Sequence, residues 1–320
     1  MGYLARRLIT FPLVMLGASV VVFFAIRLVP GDAITAMLGT EAGLLTDQQR
    51  AALAAYFGID RGWVAQYGSW LLDVVRGNLG ISVTYGRPVL EVLLECFPLT
   101  LELALLSMLV ALGIGLPAGI FAATRNDTAS DLLVRVLAML GQSTPSFVVG
   151  LLAIYFLSAG FGVLPSMGEY IGFFQDPWRN LGQMILPALT LGLAFAASVT
   201  RVSRSAMLDV LADDYVRTAR SKGASARRVV WRHALPNALI PIVTLTGVEF
   251  GYLLGGAVLV EQIFALPGLG RTILVAILQR DYALVEGGTL FVALNFMIVN
   301  LLVDLAYAAL DPRIRLDSRR

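Results

Sequence analysis

A chain of 320 residues that is 58% hydrophobic and only 14% charged departs from the roughly 25% charged residues of ordinary soluble domains, which excludes a disordered polypeptide and argues against a soluble globular one. Its net charge of +2 at pH 7 is too small to imply a nucleic-acid partner, so the placement of charge carries more information than its sum. Cys96 and His233 are the sole cysteine and histidine, which removes intrachain disulfides, thiolate clusters and histidine-rich metal or catalytic centres.

A membrane-crossing helix needs about 20 predominantly apolar residues. The first such run covers 8–29, behind a short segment, 1–7, that carries Arg6 and Arg7. This run is too long for the apolar core of a secretory signal and lacks a small-residue cleavage site, so it is expected to be a retained span. Residues 30–97 form an extracytoplasmic segment of amphipathic helices. Thr46 and Gln49 make a capping box for a helix running through Ala54, with Gly58 as its stop. Trp63, Tyr67, Trp70, Leu71 and Val74 then share one face of a second helix ending near Gly77. That aromatic face suits either the bilayer interface or the docking of an extracytoplasmic protein.

Five further spans are expected at 98–123, 132–159, 181–200, 238–260 and 288–310, within a core region 98–310 that is followed by a tail, 311–320. Pro145, inside the polar interruption Gln142-Ser143-Thr144-Pro145-Ser146, should kink the third. Small residues recur every four positions at Ala188, Gly192 and Ala196, and again at Gly247, Gly251 and Gly255. They predict close helix packing, within this chain or against a second membrane subunit. With the N-terminus inside, the cytoplasmic segments hold Arg6, Arg7, Arg125, Arg135, the basic cluster between 201 and 232, and Arg313, Arg315, Arg319 and Arg320. The longer outer segments are poorer in arginine, so both termini and the 201–237 loop are placed in the cytoplasm.

Ionisable and amide groups inside the spans are costly and mark either a pathway or a helix–helix contact. Glu102, Gln142, Ser143, Thr144, Glu249, Asn295, Asn300 and Asp304 are the candidates, with an Asp304–Arg201 pair as one purely structural alternative. Cys96 and His233 are expected to be structural.

The cytoplasmic loop has order written into it. Leu208, Leu211, Tyr215 and Ala219 form a stripe on a helix expected over 207–222, and Gly223 can take the left-handed conformation that ends it. Ser225 can cap a second helix reaching to Leu235, and Pro236 suits the start of span five. A basic cytoplasmic loop alone would explain the charges of Arg217, Arg220, Lys222, Arg227, Arg228 and Arg232, but not this Gly and Pro punctuation.

Thr218-Ala219, Gly223 and Leu235-Pro236 resemble the EAA loop of the membrane subunits of binding-protein-dependent ABC importers. Arg217 stands where that loop usually has Glu and His233 where it usually has Ile, and the wording Tyr215-Val216-Arg217-Thr218-Ala219-Arg220 with Lys222-Gly223 is similar to the peptide/nickel branch. Further matches are Arg27-Leu28-Val29-Pro30-Gly31-Asp32, Thr144-Pro145-Ser146-Phe147, Glu261-Gln262-Ile263-Phe264 with Pro267-Gly268-Leu269-Gly270, and Ala309-Leu310-Asp311-Pro312-Arg313-Ile314-Arg315.

The resemblance implies an all-α integral membrane protein of six transmembrane helices, with the type I importer permease fold and a cytoplasmic coupling helix. The ATPase-coupling residues would be Tyr215, Arg217, Thr218, Ala219, Arg220, Lys222, Gly223, Ala224, Leu235 and Pro236. Implied partners are a homologous second permease subunit, two cytoplasmic ATP-binding subunits and an extracytoplasmic substrate-binding protein, in the plasma (inner) membrane of a prokaryote, with no nucleic acid. The chain has no GxxxxGK[ST] phosphate loop. It is therefore expected to bind no cofactor, ATP and Mg residing on the partner subunits. Peptide is the expected cargo, with nickel or other metal chelates, glutathione or another small solute as alternatives. A secondary transporter, the more remote alternative, would need coupling-ion sites in broken helices, usually in two halves related by an inverted repeat, and no convincing repeat of that kind stands in the sequence. An intramembrane enzyme would need a nucleophile and base or metal ligands within the spans, but the lone histidine lies outside them and no GxSxG occurs.

Overall fold

The computed structural model describes residues 3–28, 43–57, 60–161 and 170–310. The expected stop at Gly58, residues 29–32 of the first shared motif and the tail 311–320 lie outside these. The described residues fold into two units, Met1–Pro98 with Pro267–Met297 and Leu99–Leu266 with Ile298–Arg320. Two helices, α4 and α12, contribute residues to both.

In the first unit, α1 (Tyr3–Arg27), α2 (Asp47–Phe57) and α3 (Trp63–Val75) precede the start of α4 (Val89–Thr124). The unit also holds α11 (Leu269–Leu278) and the start of α12 (Tyr282–Leu310). Thr46 caps α2 as the sequence predicts, its hydroxyl accepting from the Gln49 amide while Gln49 Oε1 accepts from the Thr46 N–H. The aromatic face of α3 packs in part against α1. Tyr67 meets the buried Phe23 ring edge-on and Trp70 meets it tilted, with centroids 5.3 and 5.2 Å away, and Trp63 approaches Phe24 at 6.2 Å. The face stays partly open after this packing, with Trp63 52% exposed and Tyr67, Trp70, Leu71 and Val74 half-buried.

Arg27 closes this contact. It donates to Glu286 at 2.6 Å and to Gln66 at 3.3 Å, with its guanidinium over the Phe23 ring. Asp281 caps α12 by accepting from the Leu284 N–H at 3.1 Å, and its other oxygen accepts from the Ser82 hydroxyl and the Thr84 N–H. Val89, Val92 and Leu93 of α4 form a buried cluster with Leu269 and Ala276 of α11 and Leu284. Helix α11 was not expected, and α12 begins at Tyr282 rather than at 288.

In the second unit the rest of α4 packs with α5 (Ala129–Ser143), α6 (Ser146–Phe161), α7 (Pro177–Leu211), α8 (Asp214–Ser221), α9 (Leu235–Gly256) and α10 (Val258–Ile263). Asp176 caps α7 by accepting from the Arg179 N–H at 3.2 Å, with Pro177 in the first turn. The 35 residues of α7 span roughly 52 Å at 1.5 Å each, well beyond a ~30 Å hydrocarbon core.

Five described helices are long and apolar enough to cross a membrane, and α5 with α6 counts as a sixth, bent by 95° at the Ser143–Pro145 break. The kink expected at Pro145 is thus a full change of direction, because Thr144 adopts an extended conformation before the proline. Two further boundaries differ from expectation. The helix expected over 207–222 is divided, since α7 continues to Leu211 and Asp213 is extended before α8. The second cytoplasmic helix is not separate from span five: Ala226–Arg228 and a π-type turn, Val229–Ala234, lead directly into α9. Pro236 has no N–H to give the carbonyl of Arg232, which suits a widened turn there.

The small-residue stripe of α7 packs within this chain. A Cβ on Gly192 would stand 2.6 Å from Val110 and 2.7 Å from the Ser107 carbonyl, and on Gly115 it would stand 2.6 Å from the Ala196 carbonyl. Gly119 meets Ser203 and Thr200 equally closely, whereas Gly113 on the same helix has open space. Gly192→Leu should therefore destabilise the unit by ~1–3 kcal/mol and lower the melting temperature of the detergent-extracted protein, while Gly113→Leu leaves it unchanged. Equal melting of the two variants would contradict this packing.

Candidate functional site

The 213–237 loop is built on α8. At its C-terminus the N–H of Ala224 donates to the Ala219 carbonyl at 3.1 Å and the N–H of Gly223 to the Arg220 carbonyl at 2.9 Å. Gly223 sits at φ +83°. These two bonds and the left-handed residue are the Schellman ending, which only glycine adopts without strain. Ser225 then accepts from the Arg228 N–H at 3.4 Å and starts the lead-in to α9.

Two side chains fix α8 to the rest of the unit. Val216 is fully buried. Tyr215 donates to the His233 carbonyl at 3.1 Å and accepts from the Asn237 amide at 2.7 Å. Beneath the loop, Met207, Ala234 and Ala238 form a buried cluster with Ile120 and Ala123 of α4.

The face turned away from that core is polar and cationic. Arg217, Thr218, Arg220, Lys222 and Gly223 are exposed, Ala219, Ala224 and Leu235 are half-buried, and Pro236 is exposed. Arg217 reaches Asp214 at 3.4 Å across exposed surface, a pair of negligible strength that leaves its charge available. Sequence reasoning missed Trp231, which is 57% exposed and lines an open cleft with Ser225, Arg227 and Arg228. A large aromatic between basic residues, in a loop expected to be cytoplasmic, was the signal.

The intramembrane candidates are not gathered in one place. Gln142 donates to Ser198 at 3.3 Å and, with Ser143, lines a cavity between α5 and α7. Thr144 and Asn295 bond carbonyls of their own helices, at Leu140 and Phe291. Glu102 accepts from the Tyr170 hydroxyl at 2.6 Å, and burial followed by that carboxylate pushes the phenol well above its ordinary range, so it remains a donor. Glu249 and Asn300 are half-buried and Asp304 is buried. His233 contributes its backbone carbonyl, and Cys96 lies 3.2 Å from Thr272.

Four buried carboxylates escaped sequence reasoning. Besides Asp281 and Glu286, Glu261 accepts from Thr100 at 2.8 Å. Asp131 takes two bonds from Arg204, at 2.6 and 2.8 Å, and a third from the N–H of Asp127 at 3.1 Å.

The pattern of the binding-protein-dependent transport system inner membrane component matches residues 115–316. The chain belongs to that family. This permease is 38% identical over 98% of its length to the probable peptide ABC transporter permease protein y4tP of Sinorhizobium fredii, covering 99% of that protein. It is 36% identical over 98% of its length to the dipeptide transport system permease protein DppB of Alkalihalophilus pseudofirmus, covering 99% of it. It is 39% identical over 98% of its length to the glutathione transport system permease protein GsiC of Escherichia coli, again covering 99%. The permease is thus a multi-pass inner-membrane subunit of an ABC importer and not itself an enzyme.

Gly223→Val should melt the end of α8. The left-handed conformation costs a residue with a side chain ~1–2 kcal/mol, so amide exchange over 215–224 should rise about fivefold or more, which hydrogen–deuterium exchange measures. Unchanged protection would mean that the loop is held by other contacts.

Proposed function

We propose that the permease forms half of a translocation path for peptides and is driven by cytoplasmic ATPases that grip its 213–237 loop. The observation that carries this reading is the geometry of α8: a cationic, exposed face on a short helix whose opposite side is locked by Val216 and Tyr215 to the start of α9. A helix so anchored can transmit a push, whereas a solvated basic loop cannot.

In this reading the loop, both termini and the long inner end of α7 face the cytoplasm. Arg217, Arg220 and Lys222 meet acidic or helix-end groups of an ATP-binding subunit, while Tyr215, Ala219, Ala224, Leu235 and Pro236 shape the seat beneath them. Surface ion pairs contribute only ~0–1 kcal/mol each, so Trp231 supplies apolar contact area beside them. Two ATPase subunits bind ATP and Mg, a homologous permease completes the path, and an outer binding protein delivers cargo. Glu102, Gln142, Ser143, Glu249, Asn300 and Asp304 are the candidate polar groups along the path, with Thr144 and Asn295 mainly satisfied by their own helices. Peptide as cargo is supported by relatives named as peptide and dipeptide permeases. Glutathione, itself a tripeptide, is the second reading, favoured by the Escherichia coli relative.

Proteoliposomes holding the permease with its partner subunits should accumulate labelled Ala-Ala only when ATP, Mg and the binding protein are all present. Faster uptake of glutathione or of a nickel chelate would reassign the cargo. Uptake by the purified permease alone, driven by an ion gradient, would contradict the importer reading.

A further inference from the structure

Helices α5 and α7 enclose, within the second unit, a cavity of about 400 Å³ whose wall carries Arg135, Arg201 and Arg204 together with Gln142, Ser143 and Ser205. Arginines at the cytoplasmic ends of spans are ordinary, but three guanidinium groups gathered on one cavity wall repel one another unless each is paired or used. Two are paired. Arg204 is bidentate to the buried Asp131 and also donates to Asn126 at 2.8 Å, with Asp127 adding a further negative charge near it. Arg135 reaches Asp131 at 3.5 Å. Arg201 is exposed on the cavity wall and has no hydrogen bond or ion pair among the described residues.

The rest of the wall narrows the ligand. From Arg135 to Gln142 along α5 is roughly 10 Å at 1.5 Å per residue. Between these polar ends lie Ala138, Met139 and Ala197, and the far end stops at the helix break beside Ser143. A lipid headgroup held by the arginines would direct its acyl chain onto an amide and a hydroxyl. A short chain with a carboxylate at one end and peptide groups along its length matches both ends, because guanidinium pairs with carboxylate by charge-assisted hydrogen bonds and the amide and hydroxyls serve the backbone.

We propose that Arg201, backed by Arg135, is a carboxylate-binding subsite of the permease that receives the C-terminal carboxylate of a peptide cargo in the inner half of the path. This rests on the peptide reading above. Arg204 is the positioning residue: its bond to Asp131 fixes the facing turns of α5 and α7 and keeps that carboxylate from neutralising Arg201.

The test uses the complete complex in phosphatidylcholine nanodiscs without nucleotide or binding protein, probed by saturation-transfer NMR with Ala-Ala, its C-terminal amide and N-acetylalanine. Ala-Ala should bind about tenfold more tightly than the amide, N-acetylalanine should compete, Arg201→Gln should abolish the difference, and Arg201→Lys should restore part of it. Equal binding of acid and amide, or discrimination that survives Arg201→Gln, would overturn the proposal. So would loss of Ala-Ala binding in phosphatidylglycerol nanodiscs, if Arg201→Gln also lost retained phosphatidylglycerol, since the pocket would then be a lipid site. The two readings fail separately. Peptide uptake without acid–amide discrimination sinks the subsite alone, whereas Arg201-dependent binding of N-acetylalanine with no peptide uptake in proteoliposomes upholds the carboxylate pocket and removes peptide as its cargo.

Discussion

The close approach of α4 and α7 is the constraint on which the second unit depends. At Gly115, Gly119 and Gly192 no side chain separates the two helices, and a Cβ at any of them would fall within 2.6 Å of an atom of the other. In a bilayer, lipid tails are as apolar as leucine, so association rests on van der Waals contact and hydrogen bonds rather than on removing apolar surface from water. Glycines that let backbones touch supply that contact. They bring α7 against α4 between Gly192 and Ser203, and α5, α6 and α9 pack against α7 in turn. A long helix fixed in this way carries its C-terminal end, and the loop that follows, as part of one packed unit.

Buried carboxylates provide the second layer of order. Asp131 ties α5 to α7 through Arg204, and Glu261 ties α10 to α4 through Thr100. In the first unit, Glu286 ties α12 to α1 through Arg27, and Asp281 holds the 82–84 turn. Removing one partner from such a pair leaves the other buried and unsatisfied, which costs more than the intact pair contributes. The pairs therefore act chiefly to specify which helices meet and in what register. They also explain why polar groups within apolar segments are not all available to a solute: Thr144 and Asn295 are occupied by their own helix carbonyls, while Arg201 is left to face a cavity.

Much of the architecture was legible in the sequence because hydropathy reports directly on the bilayer. The six apolar runs, the Thr46–Gln49 cap, the Gly223 helix end, the Ser225 cap and close helix packing at Gly192 all follow from local chemistry, whereas the partner of Gly192 lies within this chain only by the structure. What was hidden has a common cause. Hydropathy senses lipid rather than helix, so it could not show α7 continuing through polar residues to Leu211, nor the lead-in at Ala226 joining α9. Helix α11, with 10 residues, was too short to stand out between glycine and a following turn. The carboxylate partners lie 73, 161, 199 and 259 residues apart in the chain, beyond any periodicity. Pro145 announced a kink, but the size of the bend depends on how α5 and α6 each pack on α7.

Entry of chemical energy into this subunit at the exposed face of α8 is the proposed coupling. Its most direct test is a photocrosslinker at Thr218→Cys in a Cys96→Ser background, since Thr218 is exposed and bonds only a carbonyl of its own helix. A covalent adduct with an ATP-binding subunit should form in native membranes, with a yield that changes between nucleotide-free and ATP-bound complexes. Adducts confined to lipid or to an extracytoplasmic protein would contradict it.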